Sequence, residues 1–180
     1  MQQMDAQREE GRILGFVKGL RLSSQLAYVV RDILSGEIAE VSWGHLIDES
    51  GALCSPECDI IVHRPGFVQR WNGGRDPIMD FRFIECSKAL SVISCKSFVK
   101  SVDDKYCPAL AKYGLQKIIL FAECCEEKRL ATLRRQAVAE GYGGLYCLYT
   151  LAEDGFSVKQ DPDMYVEFAE EIKGLVAKSH

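Results

Sequence analysis

From residue 90 onward the chain alternates in a way that leaves few folds open. Three apolar runs, LSVISCK (90–96), KIILFAE (117–123) and GGLYCLYT (143–150), have strand character, and helical periodicity marks 102–112, 126–140 and 162–177. Strand-helix-strand units of this length join parallel neighbours in one sheet, because a parallel crossover needs about a dozen residues or more. Gly141 closes the second of these helices, and Pro162 stands near the first turn of the third.

Upstream, 22–35 (LSSQLAYVVRDILS) puts Leu22, Leu26, Val29, Val30, Ile33 and Leu34 on one helical face, with Ser23 or Ser24 as N-cap and Gly36 just past the end. Residues 3–18 read as a separate earlier helix weakened by Gly11 and Gly15. A strand at 39–47, the turn Asp48-Glu49-Ser50-Gly51 and a strand at 57–63 form an antiparallel hairpin. The stretch 65–80, with two prolines and three glycines, is a loop. Strand character returns at 81–84 and 90–96, with Glu85 to Ala89 bent or helical between them. The predicted order is α-β-β-β-α-β-α-β-α, a three-layer α/β/α sandwich around a mixed sheet. It is read as one domain over 1–180, with a core at 22–123 and a C-terminal α-β-α extension at 124–180.

Composition narrows the function classes. Apolar residues make up 47% and charged residues 27%, and no apolar run approaches the ~20 residues of a membrane span. The first twenty residues carry charge throughout, unlike a signal peptide, so a cytoplasmic location is expected. The eight cysteines are irregularly spaced and are expected to be reduced core thiols. Cys54, Cys58, His45 and His63 have the chemistry of zinc ligands, but Cys58 and His63 fall on opposite faces of one strand. Cys124-Cys125 is adjacent, so the two thiols diverge, and Gly141-x-Gly143-Gly144 precedes a strand where a dinucleotide loop would follow one. A net charge of -4 gives no overall pull toward nucleic acid. Binding to DNA would be local, through Lys96, Lys100 and Lys105 or through Lys128, Arg129, Arg134 and Arg135, the second group also reading as a solvated helix face balanced by Glu126 and Glu127.

The chemistry concentrates on Asp59, an acid that opens the apolar run Ile60-Ile61-Val62. A carboxylate at the edge of a buried strand is costly without partners. On the strand 90–96, Val92, Ser94 and Lys96 share a face. An acid from one strand and a lysine from its neighbour are half of a metal-assisted phosphodiester-cleaving site, in which carboxylates hold Mg2+ and the lysine steadies charge.

SPECDIIV on one strand and SVISCKS on the next, in an α-β-β-β-α-β order, resemble the PD-(D/E)-x-K, or restriction-endonuclease-like, superfamily. GHLIDESGALCSPECDIIVHRPG is similar to small bacterial domains of that superfamily with a D-x-x-G turn and an S-P-x-x-D-I-I-V strand. The resemblance covers about 22–123 and implies a Mg2+- or Mn2+-dependent nuclease acting on DNA, with Asp59 as metal ligand and Lys96 as electrostatic catalyst. Ser94 stands where the pattern has an acid, and Gln25 where members carry glutamate. Two rescues follow: an acid moved to the next helix, Asp103 or Asp104, or Glu85 reaching the same site. Asp103 and Asp104 also read as acids of a helix's first turn, and Glu85 as a bend residue. The alternative to a nuclease is a degenerate member that binds nucleic acid or protein. The resemblance further implies a homodimer or a partner protein.

Overall fold

A computed structural model describes residues 2–66, 69–70, 81–102, 106–113, 115 and 117–177. The first helix, α1 (Gln2–Ile33), is continuous where the sequence reads as two. Glycine costs only about 1 kcal/mol per helical position, and the buried Leu22, Leu26 and Val30, with Leu34 just past its end, outweigh that. Ser23 is therefore not an N-cap; its hydroxyl donates to the Gly19 carbonyl four residues back, at 3.0 Å.

β1 (Glu40–Ile47) and β2 (Cys58–His63) form the expected antiparallel hairpin. Its turn is built on Asp48, whose Oδ1 accepts the amides of Ser50 and Ala52 and the Ser50 hydroxyl, while Gly51 takes φ +84°. After β2 come β3 (Gln69–Arg70), β4 (Phe81–Glu85), a 3-10 turn (Cys86–Lys88) and β5 (Ala89–Val99). The chain continues through α2 (Tyr106–Ala111), β6 (Lys117–Glu126), α3 (Glu127–Ala139), β7 (Gly144–Leu151), β8 (Val158–Lys159) and α4 (Pro162–Ala177). The strands form one eight-stranded mixed sheet in the order β3-β4-β1-β2-β5-β6-β7-β8. β5, β6 and β7 run parallel, as their helical crossovers require.

The predicted order counts 81–84 and 90–96 as one strand interrupted at Glu85–Ala89; the structure has a 3-10 turn there and places the two pieces on opposite sides of the hairpin. β4 pairs parallel with β1, and β5 pairs antiparallel with β2. Three strand spacings are about 14 Å, and the four Cα steps from Glu85 to Ala89 reach at most about 15 Å. Wound as a 3-10 turn at about 2 Å per residue, the link falls short of that span, so the hairpin has to curl, and β1 carries a register shift between Ser42 and Gly44. Gly44 has φ +149°, and a Cβ there would land on the Arg82 carbonyl oxygen. Only glycine lets β4 approach this closely.

α1 and α4 pack against each other over the sheet; Phe168 of α4 lies tilted against Phe121 and Tyr146, ring centroids 5.0 and 5.3 Å away. α3 lies on β6 and β7 through the buried Leu133 and Ala137. β3 and β8 have two residues each, too few for any periodicity to announce them. No helix among the described residues is long and apolar enough to cross a membrane.

Candidate functional site

The β2–β5 ladder has Ile60 opposite Ile93, and one step further the antiparallel register sets Asp59 opposite Ser94. There β2 leaves its neighbour while β5 runs on along β6 to Val99. A departing strand strands an amide, and Asp59 takes its place: the Cys95 N–H donates to Asp59 Oδ2 at 2.8 Å. Four residues earlier Ser55 does the same toward β1, its Oγ accepting the Leu46 N–H at 2.8 Å. The S-P-x-x-D pattern thus fastens β2 to a strand on either side by side-chain bonds to backbone. The run it introduces is the centre of the core, with Ile60, Ile61 and Val62 all fully buried. Full burial of such side chains contributes about 1.5–3 kcal/mol each.

Burial raises the Asp59 pKa, and the like charge of Glu57 adds to the rise; the Cys95 amide and the Lys96 ammonium oppose it. Asp59 and Lys96 are therefore close enough to act on each other electrostatically, as the strand parity predicts. Lys96 is exposed, whereas Ser94 on the same face is buried. Tyr106, which sequence reasoning missed, comes in from α2 to lie against Cys58 and near Asp59; burial, reinforced by these neighbours, pushes its hydroxyl pKa upward. Nothing local in the sequence marks it, since its position follows from where α2 docks.

Glu85 is not brought to this point. It ends β4, two strands from β2, and faces Lys88 at 3.8 Å. Gln25 is exposed on α1. Asp103, Asp104 and Lys105 lie outside the described residues. His63 is fully buried and engaged elsewhere: Nδ1 meets the Arg64 carbonyl at 2.9 Å and Nε2 meets Ser42 Oγ at 2.9 Å. A carbonyl only accepts, so Nδ1 donates to Arg64, and Nε2 pairs with the Ser42 hydroxyl. His45 Nδ1 donates to the Ser55 carbonyl at 3.2 Å.

The second basic cluster does not form one free patch. Arg134 donates to the Leu145 carbonyl and to Glu167 of α4, and Arg135 to Thr132. Lys128 faces Glu126 at 4.0 Å. Among the described residues, the basic side chain that acts on Asp59 is Lys96, which is exposed, as is Lys100 further along β5.

Among the described residues no three His, Cys, Asp or Glu side chains converge in a way that could hold a metal ion. A hard dication prefers one or two carboxylates with phosphate and water completing six oxygens; among the described residues the carboxylate that acts on Asp59 is Glu57, and its Oε1 is taken by the Trp43 indole N–H at 2.7 Å. The described residues therefore do not by themselves fit a Mg2+ or Mn2+ site.

Known structures place this architecture. NucC from E. coli MS115-1 in its apo form superposes with a TM-score of 0.51 at 10% identity, over 86% of this chain and 90% of that one. The chain has the NucC fold. The α/β three-layer sandwich with a mixed sheet expected from the sequence is thus the observed class. Two cAAA-bound NucC structures overlap more loosely: that from P. aeruginosa ATCC27853 at TM-score 0.45 (10% identity, 86% and 90% of the two chains), and that from E. coli MS115-1 at 0.48 (8% identity, 81% and 73%). No protein-family model and no curated protein matches the chain.

Proposed function

We propose that the protein is a nucleic-acid-binding domain on a nuclease fold, with the Asp59–Lys96 end of the sheet as its phosphodiester contact point. The observation that carries this reading is the pairing itself. Lys96 projects to solvent from a strand that has outrun its neighbour, beside an acid whose own bond to the Cys95 amide holds it in place. An exposed ammonium there binds a phosphate as a point charge. The likeness to NucC supports the choice of fold, and the kinship with small S-P-x-x-D-I-I-V domains belongs to the same proposal.

A second reading, metal-dependent DNA cleavage, is favoured by the closeness of Asp59 to Lys96 and by the upward push on the Asp59 pKa, since perturbed acids gather at functional sites. It needs a second carboxylate to replace what Ser94 lacks. Asp103 and Asp104, in the chain between β5 and α2, are the residues to supply it. A bound dication would polarise the phosphate and activate water.

The test combines DNA binding in EDTA with titration of Mg2+ and Mn2+ and nicking of plasmid and single-stranded DNA. Wild type, Asp59→Asn, Lys96→Ala and Asp103→Asn/Asp104→Asn are compared. Binding that survives EDTA and weakens severalfold in Lys96→Ala, with no metal-dependent nicking, is the expected result. Nicking lost in Asp59→Asn and in the Asp103/Asp104 variant would establish the second reading. Absence of any DNA binding would refute the first.

A further inference from the structure

Beyond Ile93, β5 pairs only with β6 among the described residues, so Ser94 to Val99 form a strand with one open side. Alternation puts Ser94, Lys96 and Phe98 on one face, with Cys95 and Val99 buried on the other. Phe98 is 37% exposed, so part of its ring is open to a ligand. Lys96 precedes it and Lys100 follows, and the Lys100 ammonium stands 5.9 Å from the ring centroid. These three, with Val99 and Ser101, line an open cavity of about 580 Å³.

The geometry points to a stacking platform for a single-stranded nucleic acid: one unpaired base lies on Phe98 while Lys96 and Lys100 take the phosphates on either side. This deepens the nucleic-acid reading above and rests on it. A ring flanked by ammonium groups suits a ligand that repeats an aromatic face and an anion along its length, and an unpaired strand does so. A duplex offers phosphates only, because its base faces are stacked on one another; an exposed phenyl gains nothing from it. At about 3.3 Å per residue Phe98 lies about 7 Å along β5 from Lys96, so a strand with one phosphate at Lys96 continues over the ring. With a net charge of -4 the chain as a whole repels polyanions, which confines attraction to this local group.

Fluorescence anisotropy in EDTA tests it without any need for cleavage. The probes are a labelled thymidine 15-mer and a blunt duplex of equal length, each titrated with wild type, Phe98→Ala, Phe98→Trp and Lys100→Ala, with thermal melts to verify folding. The single strand is expected to bind more tightly than the duplex. Phe98→Ala should weaken single-strand binding about tenfold, the loss of one stacked base, and Phe98→Trp should restore it. Lys100→Ala should flatten the salt dependence by about 0.7 in the log-log slope, one phosphate contact of a single strand. Equal single-strand affinity in wild type and Phe98→Ala would overturn the platform while leaving phosphate binding at Lys96 intact. Binding of neither probe would overturn both.

Discussion

Replacing Asp59 separates its structural duty from any chemical one, and the two substitutions Asp59→Ala and Asp59→Asn should part company. In the folded protein the carboxylate is the acceptor for the Cys95 amide, which has lost its strand partner at the end of the β2–β5 ladder. Alanine leaves that buried donor unpaired, at a cost of about 1–3 kcal/mol. Asparagine keeps an acceptor oxygen in the same place and should cost far less. The charge acts in the other direction. Burial raises the folded pKa above the 3.8 of a free aspartate, so between those two values the native state binds more protons than the unfolded one. Stability therefore declines as pH rises through that window, and wild type carries the loss in full above it. Asp59→Asn lacks this contribution, so its stability relative to wild type should improve as pH rises from below 4 and level off above the raised pKa. Urea denaturation of the three proteins at a series of pH values reads both effects. The Asp59→Ala midpoint should fall at every pH, and the difference between Asp59→Asn and wild type should grow with pH and then flatten. An Asp59→Ala protein as stable as wild type would refute the amide-acceptor argument. A pH-independent difference between wild type and Asp59→Asn would refute the burial argument.

Two further outcomes follow from the same packing. Gly44→Ala would set a methyl on the Arg82 carbonyl oxygen at a φ that side chains rarely adopt, so it should cost about 3 kcal/mol or more and lower the melting temperature sharply; a melt within a degree or two of wild type would show that β4 can move away freely. Thiol counting with an aromatic disulfide should modify the half-buried Cys54, Cys86 and Cys124 first and reach the buried Cys58, Cys95, Cys107, Cys125 and Cys147 only on unfolding. Cys86 should be the slowest of the exposed group near neutral pH, because burial and the neighbouring Cys54 push its pKa to about 12.

What the sequence by itself determined was local. The 3.6 periodicity of α3 and α4 and the apolar runs of β1, β2, β6 and β7 drew these elements nearly to their observed ends, because the helices bury one face and the inner strands β2 and β6 bury both. Strand parity alone put Ser94 and Lys96 on one side of β5, and the apolar run after Asp59 marked the core. The tertiary structure decided whatever depends on a neighbour remote in the chain. That β4 pairs with β1 and β5 with β2 turns on the curl at Gly44 and the reach of a three-residue link, which no local pattern encodes. The unity of α1 across Gly11 and Gly15 comes from the surface its later turns bury. The roles of Ser55 and Asp59 as acceptors for stranded amides, the arrival of Tyr106 beside Asp59, and the distance of Glu85 from it all require knowing which strands end where. A side chain's chemistry is written in the sequence, but its partners are set by packing, and for Asp59 the partners decide what the acid does.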